Sequence, residues 1–110
     1  MPPKQKLLVL ISKGVSDRTQ ASNQRRAITI LDSKGIPYET IDGMDPDQRD
    51  RRNELFGISG VRGNYPQFFL VQMDNDGGEN GVTSYLGDWG KLEEINDTST
   101  WNEVFASVIS

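Results

Sequence analysis

The side chains this sequence offers for chemistry are hydroxyls, carboxylates, amides and cations, because its 110 residues include no cysteine and no histidine. Thiol redox chemistry, disulfides, zinc sites built on thiolate or imidazole, and Ser–His or Cys–His catalysis all need the missing types. A hydroxyl such as that of Ser16 gains too little from a helix N-terminus to become a nucleophile, and no imidazole is available as its base. Carboxylate acid–base catalysis needs two acids converging on one pocket, and Asp17 and Asp88 form no such pair in sequence. The run Asp74-Asn75-Asp76-Gly77 suggests calcium but fails on spacing. Glu79 stands where a calcium loop needs its sixth-position glycine, and Tyr85 where it needs its twelfth-position glutamate. No catalytic residue, metal or cofactor is expected.

The elements that must position the remaining polar groups follow from hydrophobic pattern and punctuation. Lys6 to Ser12 reads as a strand buried on both faces, and its apolar core, Leu7 to Ile11, is too short to span a membrane. A polar loop, residues 13–17, leads to a helix with an inward stripe of Ala27, Ile28, Ile30 and Leu31 and with Arg25, Arg26 and Asp32 turned outward. That helix is stopped by Gly35 and Pro37. Its start needs a side-chain oxygen, from Ser16 or Asp17, and Asp17 with Gln20 has capping-box spacing. Tyr38 to Asp42 is a second strand. Asp45-Pro46 opens a second helix that runs to Leu55-Phe56 and is expected to end at Gly57.

After a loop from Ile58 to Asn64, Tyr65-Pro66 leads into an apolar strand, 67–71, where proline costs least at the first position. A turn from Asp74 to Gly81 joins it to a fourth strand, Val82 to Leu86. Two helices follow, Trp89 to Ile95 and one opened by Thr100 with Glu103 in capping-box spacing, whose inner face is Trp101, Val104, Phe105 and Val108. The order βαβαββα with an extra C-terminal helix builds a mixed four-stranded sheet flanked by helices, an α/β fold.

Length allows one domain spanning residues 1–110. A 35% apolar, 25% charged composition reads as a globular chain, and no signal pattern follows Met1, so a cytoplasmic location is expected, with no membrane partner. A net charge of -4 argues against a nucleic-acid surface. Arg49, Arg51 and Arg52 are interleaved with Asp47, Asp50 and Glu54, which reads as a solvated helix face with weak ion pairs.

The element order and Tyr65-Pro66 resemble the thioredoxin fold in its glutaredoxin form. Leu10-Ile11-Ser12-Lys13-Gly14 is similar to the segment that ends in a glutathione-contacting lysine. In that register the Cys-X-X-Cys pair falls on Ser16 and Thr19. Tyr85-Leu86-Gly87-Asp88-Trp89 and Leu31-Asp32-Ser33-Lys34-Gly35-Ile36 most resemble the SH3-domain-binding glutamic-acid-rich family, glutaredoxin-like proteins that commonly lack the redox pair. Asn64-Tyr65-Pro66-Gln67 has a single proline and no P-x-x-P ligand, and no glutamate-rich stretch follows in these residues.

The resemblance implies a cis bond before Pro66 and a cleft around Lys13, Ser16, Tyr65, Pro66, Gly87 and Asp88. Lys13 would pair with a ligand carboxylate or stay solvated, and Asp88 would cap a helix with or without accepting a ligand amine. Tyr65 would wall the cleft or pack as a loop aromatic. Tyr85 and Trp89 are expected to pack against the last helix. The function expected is a non-catalytic module that binds a protein or peptide. The alternative is weak, noncovalent binding of glutathione or a related acidic peptide.

Overall fold

The computed structural model describes residues 4–74 and 76–109. Met1, Asn75 and Ser110, used in the sequence reading, lie outside the described residues. The first strand, β1 (Gln5–Ile11), lies inside the sheet. Alternation sends Leu7 and Val9 to one face and Leu8 and Leu10 to the other, and all four are buried. Burying one such side chain contributes roughly 1.5–3 kcal/mol, so this strand anchors two cores at once.

On the first face, Leu7 and Val9 meet Ala27 and Leu31 of α1 (Arg18–Ser33), Leu92 and Ile95 of α3 (Trp89–Thr98), and Trp101 and Phe105 of α4 (Trp101–Ile109). On the second, Leu8 and Leu10 meet Leu55 and Phe56 of α2 (Arg49–Ser59). The strand order is β2-β1-β3-β4, with β2 (Glu39–Asp42) parallel to β1. β3 (Gln67–Met73) is antiparallel to both β1 and β4 (Glu79–Asp88). This is the mixed sheet and helix arrangement expected from the sequence. Among the described residues, no helix is long and apolar enough to cross a membrane.

Several boundaries differ from expectation for physical reasons. Gly57 lies inside α2, and the helix ends at Gly60, whose φ of 72° lets its N–H reach the Phe56 carbonyl at 2.9 Å. Asp45 caps a short 3-10 turn, Pro46–Gln48, that feeds α2. The turn after β3 is tighter than expected because the Asp74 carboxylate accepts from the N–H groups of Asp76 and Gly78, so β4 starts at Glu79. The Thr100 hydroxyl pairs with that of Thr98 at 3.0 Å.

The charged helix face is more organised than a solvated one. Lys6 sits between Glu39 and Glu79 at 2.9 and 2.7 Å, and Arg51 joins Glu79 to Glu54 at 3.0 Å each. Arg52 instead turns inward. It donates to the Gly43 carbonyl at 3.1 Å and lies over the Phe56 ring.

Candidate functional site

The site predicted from sequence gathers at the end of the sheet where β1 and β2 finish and α1 begins. Asp17 caps α1, accepting from the Gln20 N–H at 2.9 Å, and Ser16 is left exposed. The capping box is only half formed. The Gln20 side chain does not turn back to Asp17; its Oε1 accepts from the backbone N–H of Tyr65 at 3.0 Å. One turn along, Gln24 clasps the end of β1. Its Oε1 accepts from Ser12 N–H at 2.6 Å and its Nε2 donates to the Ser12 carbonyl at 3.1 Å.

Gln20 and Gln24 extend the stripe that Ala27 and Leu31 continue, so α1 presents amides at its start and hydrocarbon further on. The sequence reading missed both amides as site residues. Polar residues on an inward helical stripe were the available signal, since a buried amide must find partners.

Tyr65-Pro66 is a cis peptide and Pro66 is buried. The Tyr65 ring packs beside Phe56, centroids 6.2 Å apart, and a Cβ added at Gly43 would lie 2.9 Å from its hydroxyl. Gly43 thus leaves the space that Tyr65 fills. Burial pushes the phenol above its ordinary pKa, with Arg52 drawing it down and Asp42 raising it. The half-buried ring packs beside Phe56, a contact compatible with either role expected for Tyr65. Gln67 holds the preceding loop, its Nε2 donating to the carbonyls of Val61 and Asn64 at 3.0 and 2.8 Å.

Asp88 caps α3, accepting from Gly90 N–H at 3.0 Å, while its second oxygen accepts from Asn64 Nδ2 at 3.3 Å. Each carboxylate oxygen thus accepts one hydrogen bond from within the chain. Gly87, at a φ of 152°, is required by close approach, since a Cβ there would lie 2.4 Å from Lys91 Cβ. Lys13 is exposed. Its backbone N–H donates to Asp42 at 3.2 Å, and its ammonium has no ion pair among the described residues. Ser16 and Thr19 are both exposed, so the positions resembling a redox pair present two hydroxyls to solvent.

Tyr85 and Trp89 separate onto opposite faces, which corrects the shared packing expected for them. Tyr85 lies against Phe69 on the α2 side, centroids 5.4 Å apart. Trp89 belongs to the other core, with Arg26 4.9 Å above its ring. Arg26 is exposed, as expected, and its guanidinium also lies over this ring.

No protein-family model matches the chain, and no curated protein matches it. Solved structures do. A buckwheat glutaredoxin–glutathione complex superposes with a TM-score of 0.57 at 16% identity, covering 94% of this chain and 76% of that one. Actin interacting protein 5 (Aip5, wild type) gives a TM-score of 0.57 at 22% identity, covering 94% of this chain and 95% of that one. The fold is thioredoxin-like. At these identities the likeness concerns architecture, and on that architecture the chain carries no cysteine.

Proposed function

We propose that this chain is a non-catalytic, thioredoxin-fold module that binds a segment of another protein. The finer kinship with the SH3-domain-binding glutamic-acid-rich family and a cytoplasmic setting belong to the same proposal. The observation that carries the non-catalytic reading is a thioredoxin-like fold without cysteine; the hydrogen bond from Tyr65 N–H to Gln20 Oε1 at 3.0 Å weighs against glutathione in the cleft. An extended tripeptide laid beside Tyr65 would pair with this backbone donor, in the manner of an added strand. Here a side chain of the protein already satisfies it.

The second anchor is shared, because each Asp88 oxygen already accepts once from within the chain. With hydroxyls at Ser16 and Thr19, no mixed disulfide can fix a thiol ligand in place. Glutathione pairing with the Tyr65 N–H would have to displace the Gln20 amide, and so exchange one hydrogen bond for another.

An amide NMR titration with reduced glutathione at millimolar concentration tests this reading. The expected result is no saturable shift at Tyr65, Gly87 or Asp88. Saturable shifts confined to Lys13, Tyr65, Gly87 and Asp88 would replace the protein-binding reading with a small-molecule one.

A further inference from the structure

Beside the closed cleft lies an open groove of about 460 Å³ between α1 and the end of β1. Ile11 and Ile28 give it an apolar lining, and Lys13 and Arg25 supply its cations. We infer that this groove binds an extended acidic segment of a partner protein, carrying an apolar side chain between its acids. The inference rests on the binding-module reading and moves its contact surface from the cleft to the groove.

Charge complementarity is the argument for that occupant. The chain is acidic overall, and most of its cations are engaged: Lys6, Arg51 and Lys91 with carboxylates, and Arg26, Lys34, Arg52 and Arg62 over aromatic rings. Lys4, Lys13, Arg18, Arg25 and Arg49 have neither kind of partner among the described residues; of these, Lys13 and Arg25 line the groove and Arg18 stands at the start of α1.

Arg18 and Arg25 are seven residues apart, which places them on one helix face about 10 Å apart. Acids two residues apart share one face of an extended chain at about 7 Å, a gap that two flexible arginine arms can span. Lys13, Arg18 and Arg25 outnumber the acids beside them, Asp17 and Asp42, which keep their charge. Asp17 is committed to the helix cap, and Asp42 accepts from the backbone N–H groups of Lys13 and Met44. Gln24 and Ser12 satisfy each other, so the groove floor makes no competing demand on a ligand. Exposed cations meeting an acidic peptide beside an apolar floor supply attraction and orientation.

The test is an amide NMR titration of the whole chain with the acetylated, amidated peptide Glu-Leu-Asp-Glu, repeated with Lys-Leu-Lys-Lys. The expected result is saturable shifts at Ser12, Lys13, Arg25, Ile28 and Thr29 with the acidic peptide only. Arg25→Glu should weaken it about tenfold or more, and Arg25→Gln should weaken it less. Arg25 is exposed, so both variants should keep the wild-type spectrum elsewhere. Equal affinity for the two peptides, an unaffected Arg25→Glu, or no saturable shift would overturn the groove assignment. Shifts centred on Tyr65 and Asp88 would also overturn it while leaving the binding-module reading standing.

Discussion

Replacing Gln20 with alanine removes the one side chain that closes the cleft against Tyr65. Its Oε1 accepts from Tyr65 N–H at 3.0 Å in a part-buried setting. An unpaired buried donor costs about 1–3 kcal/mol, and partial access to water places this one near the lower end. Alanine returns a few tenths of a kcal/mol by its higher helix propensity. The net loss of global stability is then below about 1 kcal/mol, a shift of only a few degrees in Tm for a chain of this size.

Thermal melting is therefore the wrong readout, and amide hydrogen exchange at Tyr65 is the right one. Losing about 1 kcal/mol of local protection speeds exchange roughly fivefold. Gln20→Glu keeps an oxygen at the same reach and should hold exchange near the wild-type rate. The opened variant should also show glutathione-dependent shifts at Tyr65 that the wild type lacks. Tyr65 exchange that is unchanged in Gln20→Ala, or equally fast in Gln20→Glu, would refute the closure.

Two further outcomes follow from glycine sterics and from the charge ladder. Gly87→Ala should cost about 2 kcal/mol or more in urea unfolding, because its Cβ would meet Lys91 Cβ at 2.4 Å from a left-handed backbone. Gly57→Ala, where nothing lies within 4 Å and the backbone is helical, should instead stabilise by about 0.5–1 kcal/mol; similar values for the two would discredit the steric account.

The hydrogen bond from Lys6, joined by Arg51, holds the Glu79 carboxyl below its ordinary 4.5 despite burial. Its stabilisation is thus present above that pH and is lost as pH falls through the folded value. Burial pulls Lys6 down, but Glu79 and Glu39 outweigh it and leave it above its ordinary 10.5. Its contribution is full below 10.5 and is lost as pH rises past the folded value. Exposure keeps both contributions small. Glu79→Gln should flatten the acid limb of a stability–pH profile, and parallel wild-type and variant limbs would remove Glu79 as its source.

The order of elements was legible in sequence because it rests on local signals. Apolar runs, alternation, glycine stops and capping oxygens act over a few residues, so β1, α1 and the sheet could be read without tertiary knowledge. Boundaries slipped where two signals competed. Gly57 reads as a stop, but the turn that could adopt a positive φ and reach the Phe56 carbonyl lies at Gly60. The missing cysteines and histidines were decisive at the outset, since no fold can supply a side chain the chain lacks.

What only the tertiary structure decided concerns partners distant in sequence. Gln20 meets Tyr65 across 45 positions and Gln24 meets Ser12 across 12. Nothing local marks either glutamine for its partner. The same holds for Asn64 on Asp88 and for Gly43, which matters only because Tyr65 fills the space beside it. Residue types settled that thiol and imidazole chemistry is absent; the packing of α1 decided that Gln20 reaches the Tyr65 N–H and Gln24 the Ser12 backbone. Hydrogen-bond and steric choices of that kind depend on distances that exist only once the sheet has formed.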